Sequence, residues 1–175
     1  MTSYRILPGL PPYGPPAISF PDPEAFREGM VIEFIPEVSL PWVGNFRQFS
    51  AGLPNTVHLE LGSPAVVIVA GGAGYVIDCE EHRLIRDFSI PVEHCWHQPD
   101  VDALIISDGL HFEAFNATRT LWRSRRVSWG GIKIIDRSGT IVRGEAYDPM
   151  SNTWQSFQLN VLDGIVEGGT YPTEL

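Results

Sequence analysis

Glycine and aspartate punctuate the last third of this chain at hairpin intervals, and no feature narrows its possible folds more. Val127 to Tyr171 reads as short β-branched or aromatic runs. These are broken at Gly130-Gly131, Arg137-Ser138-Gly139, Asp148-Pro149, Asp163-Gly164 and Gly168-Gly169. Glycine supplies positive φ and aspartate bonds its own backbone two residues on, so this spacing predicts an antiparallel meander and excludes long helices. The grammar extends upstream. Tyr75-Val76-Ile77-Asp78 with Leu84-Ile85-Arg86 resembles Lys133-Ile134-Ile135-Asp136 with Ile141-Val142-Arg143, each read as strand, Asp-initiated turn and returning strand. Ala103 to Phe115 folds about Asp108-Gly109, and Phe157 to Val161 turns through Asp163-Gly164 into Ile165 to Glu167. Ala65 to Ala70 is apolar throughout, as a central strand covered on both faces would be. In Thr56 to Leu61, Val57, Leu59 and Leu61 alternate with His58 and Glu60, predicting a half-buried strand whose polar face is solvated.

Before residue 22 the pattern differs. Residues 1–21 hold six prolines with Tyr4, Tyr13 and Phe20 among them, an extended arm that its aromatics would drape over the domain; a proline-rich ligand for an adaptor groove is the functional alternative. Asp22-Pro23-Glu24 to Gly29 offers an N-cap, a proline at the first helical position and a terminating glycine, predicting one short N-terminal helix. From Met30 onward the signals are β.

The expectation is thus an all-β protein, an antiparallel meander of hairpins within a single domain over residues 22–175. The segments around Ile77 to Phe88 and Trp96 to Gly109 are similar to β-propeller blades. A propeller needs at least four blades of about 40 residues, and the chain after the arm has room for only about three such units. Two packed antiparallel sheets, or one strongly bent sheet, fit the length better. Gly44 to Phe46, Gly74 to Asp78, Trp129 to Ile132 and the Gly144 to Tyr171 ending together resemble a loosely defined group of bacterial all-β proteins. That resemblance implies a single β domain and supplies no mechanism.

Charge narrows the partners. At a net −9 and pI near 4.9 the chain repels polyanions, which excludes nucleic acid and anionic lipid as general ligands and favours a basic protein. No apolar run approaches the roughly 20 residues needed to cross a bilayer, and the N-terminus lacks a signal-peptide layout, so the expected location is cytoplasmic. Cys79 and Cys95 read as small buried hydrophobes, and no cofactor is implied.

Four motifs bear on chemistry. Gly71-Gly72-Ala73-Gly74 follows a buried strand as a nucleotide-binding loop would, but Tyr75 to Asp78 after it reads as a strand where a phosphate cradle needs a helix, so a hairpin turn is expected. The His94 to Asp102 segment, read as a loop, is the densest set of metal ligands, with His94, His97 and Asp100 as candidates alongside the bland reading of ordinary loop composition. His58 and Glu60 lie within reach of each other as a base and its orienter. Arg119, Arg123, Arg125 and Arg126, interleaved with Trp122 and Trp129, form a basic cluster suited to internal pairing or to a protein interface, where Trp and Arg are enriched. Of the five tryptophans most should be core, with Trp154 near a surface turn.

These readings converge on a non-enzymatic protein-binding domain; candidate contacts are Arg119, Trp122, Arg123, Arg125, Arg126 and Trp154. Its sharpest version is an immunity or antitoxin-like inhibitor of a basic toxin domain. The alternatives are a small metal-dependent hydrolase using the His94 to Asp102 segment together with His58, and a structural subunit of a larger β assembly. The oligomeric state is left open.

Overall fold

The computed structural model describes residues 2–24, 27–37, 39–62, 64–88 and 91–172. Strand dominates. The described residues form four four-stranded sheets, divided between two compact units, residues 1–92 and 93–175.

The first unit holds two sheets. One is built from β1 (Ser3–Leu7), β2 (Ile18–Phe20), β3 (Met30–Ile35) and β4 (Trp42–Phe46) in the order β1-β3-β4-β2, with β2 parallel to β4 and the other pairs antiparallel. The arm therefore contributes two strands. The other is a plain antiparallel meander of β5 (Thr56–His58), β6 (Ala65–Ala70), β7 (Ala73–Asp78) and β8 (Arg83–Phe88). In the second unit β9 (His94–Gln98), β10 (Ala103–Ser107), β11 (Phe112–Phe115) and β12 (Thr120–Arg123) form a third sheet, with the 3-10 turn η1 (Pro99–Val101) between β9 and β10. The fourth is β13 (Ile132–Asp136), β14 (Ile141–Asp148), β15 (Thr153–Asn160) and β16 (Val166–Gly168). The all-β, antiparallel expectation holds, and each unit sets two sheets around one core. Four blade-sized sheets fit where about three were expected, because the proline-rich arm supplies β1 and β2 and so completes the first.

The turn chemistry explains the meanders. At six hairpin connections among the described residues an Asp or Asn side chain opens the turn by accepting the amide two residues on. The pairs are Asp78 with Glu80, Asp108 with Leu110, Asn116 with Thr118, Asp136 with Ser138, Asp148 with Met150 and Asn160 with Leu162. The β6–β7 turn is made differently. Gly71 and Gly72 both have positive φ, 51° and 81°, the geometry of a primed hairpin turn. The matched Asp-turn segments also behave alike locally: Asp78 pairs with Arg83 at 3.4 Å and Asp136 with Arg143 at 3.2 Å. Yet β7 is the third strand of its sheet and β13 the first, so the likeness marks a hairpin and not a repeated sheet.

Each core is aromatic at its centre. In the first unit Phe34 stacks on Trp42 at 4.6 Å and Phe20 on Phe46 at 5.0 Å, facing Ile68, Tyr75 and Ile77 of the second sheet. In the second unit Phe112 lies 5.7 Å from Phe157 and 6.3 Å from Trp96, among Ile105 and Leu159. Burying each such ring contributes on the order of 2–3 kcal/mol. All six residues of β6 are buried, the both-faces burial expected of Ala65 to Ala70, and all five of β10 likewise.

Three expectations need adjustment. The helix sought over Asp22 to Gly29 has its centre, residues 25 and 26, outside the described residues; Pro23 and Glu24 form a turn, with the Glu24 amide donating to Asp22. His58 was assigned to a solvated face, but it is buried, with its imidazole between Thr56 Oγ1 at 3.0 Å and the Glu60 carboxylate at 3.6 Å. Of the five tryptophans only Trp42 and Trp96 are buried, while Trp122 packs half-buried against the second core.

Candidate interaction surface

The two chemistry-rich segments meet opposite fates. His94 to Gln98 is strand, not loop, and strand parity decides where its side chains go: Trp96 enters the core, His94 and Gln98 share its face, and Cys95 and His97 take the other. The imidazoles therefore diverge. His94 Nε2 stands 3.3 Å from the Ile132 carbonyl, whereas His97 Nε2 is 3.6 Å from the carboxylate of Asp102. Asp100 accepts from Gln98 Nε2 at 2.6 Å, and Gln98 also donates to the Gly139 carbonyl, tying η1 to the β13–β14 turn. Among the described residues no group of three or more His, Cys, Asp or Glu stands close enough to hold a metal ion.

The glycine turn is likewise accounted for by packing. A side chain at Gly71 would meet the Ser50 carbonyl oxygen at 2.6 Å, one at Gly72 would overlap Leu53, and one at Gly74 would overlap the Phe88 ring. Strand β7, not a helix, follows. A cleft of about 330 Å³ beside this turn is lined by Arg47, Phe49, Tyr75, Asp87 and Phe88. Burial raises the Tyr75 hydroxyl's pKa, and that hydroxyl donates to the Arg47 carbonyl at 2.6 Å.

In the basic cluster the structure separates internal arginines from surface ones. Arg125 is a clamp: it donates to the carbonyls of Arg126 at 2.8 Å, Gly168 at 2.6 Å, Tyr171 at 3.2 Å and Val166 at 3.4 Å, pinning the C-terminal segment. The amides of Thr170 and Tyr171 both donate to Val127 O, which fixes the same segment from its own side. Trp122 donates its indole N–H to Val161 O at 2.9 Å and packs beneath Gly164. Arg119 and Arg123 are exposed, Arg123 on β12 opposite Glu113.

Arg126 belongs to something larger. Its guanidinium donates to Ser128 O and lies over both Trp129 (5.1 Å) and Tyr171 (4.9 Å), whose rings are 4.5 Å apart. Next to Trp129, a side chain at Gly130 would stand 3.1 Å from the Tyr147 ring, a tight contact, and the Gly130 amide donates to Tyr147 O. Tyr147 is paired across β14 and β15 with Trp154, ring to ring at 5.0 Å, and Lys133 Nζ sits 3.8 Å from the Trp154 ring centre. The result is a strip on the second unit made of two ring pairs, Trp129–Tyr171 and Tyr147–Trp154, joined through the Gly130 backbone, with a cation against each pair. Trp129 is 41% and Trp154 38% exposed, and Met150, at the turn beside them, is 91% exposed.

The turns at the two ends of β14 are acidic. The Asp148 carboxyl, which caps the turn carrying Met150, is held below the usual carboxylate range by the Ser151 hydroxyl and then the Met150 amide. The Asp136 carboxyl is lowered chiefly by the Ser138 hydroxyl, with Arg143 adding to it.

Of the six contact residues drawn from sequence, Arg126 and Trp154 meet on this strip, while Trp122 and Arg125 are held by internal carbonyls. Tyr147, Tyr171 and Lys133 were missed as contacts. A signal for one of them was present: Tyr147 is symmetric with Trp154 about the Pro149–Asn152 turn, so hairpin register alone sets the two opposite each other. Trp, Tyr and Arg side chains of this kind are the residue types enriched at protein contact surfaces. No protein-family model matches the chain, and no curated protein sequence matches it.

Proposed function

We propose that this is a non-enzymatic protein-binding domain whose contact surface is the strip from Tyr171 and Trp129 to Tyr147 and Trp154. The observation that carries the reading is the pair of tryptophans held half out of the surface, each against a cation. Aromatic residues cost solvation when left exposed, and Trp, Tyr and Arg are the residue types that dominate binding energy at protein interfaces. Rigid support strengthens the case, because the Arg125 clamp and the β14–β15 ladder hold the rings before any partner arrives.

The finer reading is an immunity or antitoxin-like inhibitor acting in the cytoplasm. Its support is charge: a net −9 steers a basic protein toward the chain, after which the strip anchors it. No helix among the described residues is long and apolar enough to cross a membrane.

The test is calorimetry between the purified chain and the basic proteins encoded next to its gene. Tight binding that weakens with salt and is lost in a Trp129→Ala, Trp154→Ala double variant is the expected result. Affinity unchanged in the double variant would remove the strip from the reading, and no binding to any neighbouring product would remove the inhibitor version.

A further inference from the structure

We infer that the cleft beside the Gly71-Gly72 turn binds a small zwitterion of the α-amino-acid class, its carboxylate on Arg47 and its ammonium on Asp87. The cleft lies wholly within the first unit and shares no residue with the aromatic strip, so the inference stands apart from the proposed function. At about 330 Å³ it has room for one small molecule. Arg47 and Asp87 are the two charged residues that line it, and both are exposed. Among the described residues neither has an ion-pair partner, and the two are not paired with each other. Arg86 lies over the Phe88 ring at 4.5 Å but does not line the cleft. Tyr75 places the two charges at one spot. Asp87 is its register partner across β7 and β8, which puts both side chains on one face of the sheet, and the Tyr75 hydroxyl donates to the Arg47 carbonyl. Burial is the largest influence on the Tyr75 pKa; the Arg47 charge then lowers it and the Asp87 charge raises it, so one hydroxyl feels both.

The two charges select the ligand. A simple anion drawn to Arg47 meets Asp87, a simple cation drawn to Asp87 meets Arg47, and an apolar molecule strips water from both without replacing it. A molecule carrying both signs answers both, each through a charge-assisted hydrogen bond. Phosphate is a poor match besides. The Gly71 and Gly72 amides, which a phosphate loop leaves free, donate to Asn55 Oδ1 at 2.6 Å and to the Pro54 carbonyl at 3.1 Å. Phe49, 67% exposed on the cleft wall, offers a ring to the hydrocarbon part of the ligand. The wall is also fixed beforehand. The Arg47 amide donates to Phe20 O, its carbonyl accepts from Tyr75, and the Ser50 amide donates to Gly71 O at 2.8 Å, which staples residues 47–50 to the β6–β7 turn. A site held in place before binding loses less freedom when the ligand arrives.

Thermal unfolding of the full chain with each standard L-amino acid at millimolar concentration tests the inference, with propanoate and propylammonium as probes carrying one charge each. At least one amino acid should raise the melting temperature saturably, and neither single-charge probe should. Calorimetry with that amino acid should show Arg47→Gln and Asp87→Asn each weakening binding roughly tenfold or more. Both positions are exposed, so the unliganded melting temperatures of these variants should match the wild type's, which separates lost contact from lost fold. No saturable shift with any amino acid, a single-charge probe bound as tightly as the zwitterion, or full affinity in either variant overturns the inference. None of these results bears on the tryptophan variants and the basic partner, so either reading can fall while the other stands.

Discussion

Strand β9 and the Trp129 to Trp154 region are both dense in side chains that do chemistry, yet only the second brings them together. On β9 the candidate ligands follow one another along a single strand, and the pleat sends His94 and His97 to opposite faces. In the strip the residues come from β13, β14, β15 and two loops. Ladder register brings Tyr147 against Trp154, while the clamped C-terminal segment lays Tyr171 on Trp129. Density in sequence is thus a poor guide to a site in a β protein; residues on neighbouring strands, symmetric about a turn, are a better one.

That contrast can be broken most forcefully at Arg125. Replacing it with alanine leaves four carbonyls without their donor and should cost about 2–4 kcal/mol of stability by denaturant unfolding, whereas His94→Ala on β9 should cost under about 1 kcal/mol. Equal losses would mean that the C-terminal segment does not depend on the clamp. The next effect is on binding. Trp154→Ala should weaken a partner by about 2 kcal/mol, roughly thirtyfold, with far less change in stability, and His97→Ala should leave affinity unchanged. Titration calorimetry that found the histidine variant the more damaging would invert the comparison.

Acid sharpens it further. Because the Asp136 and Asp148 carboxyls are lowered in the folded chain, the unfolded state binds more protons across that window. Stability is therefore intact above the ordinary carboxylate value near 4 and falls as pH drops through the lowered values. An Asp136→Asn, Asp148→Asn variant should show a shallower loss of melting temperature on acidification, and an unchanged slope would locate the acid sensitivity elsewhere. The smallest expected effect concerns zinc: with the two imidazoles on opposite faces, equimolar Zn²⁺ should not raise the melting temperature, and a saturable rise would restore β9 as a metal site.

Much of the architecture was legible because it is local. Asp78, Asp108, Asp136 and Asp148 announce turns through hydrogen bonds to amides two residues away, and Gly71-Gly72 announces a primed hairpin by conformation alone. The unbroken burial of Ala65 to Ala70 followed from composition. Less legible were the burial of His58 and the arm, whose prolines hid two genuine strands. Of the site, Arg126 and Trp154 could be read as contacts, but nothing along the chain separated Arg126, at the surface against two rings, from its neighbour Arg125, which is spent on four carbonyls.

Turn chemistry and alternation, written in adjacent residues, were enough to make this an antiparallel β protein with hairpins in the right places. Which sheets pair their faces, which of two consecutive arginines turns inward and which ring comes to lie on Trp129 depended on contacts between residues far apart in the chain. Such contacts are set by packing and ladder register across strands, and those forces act only once the chain has closed on itself.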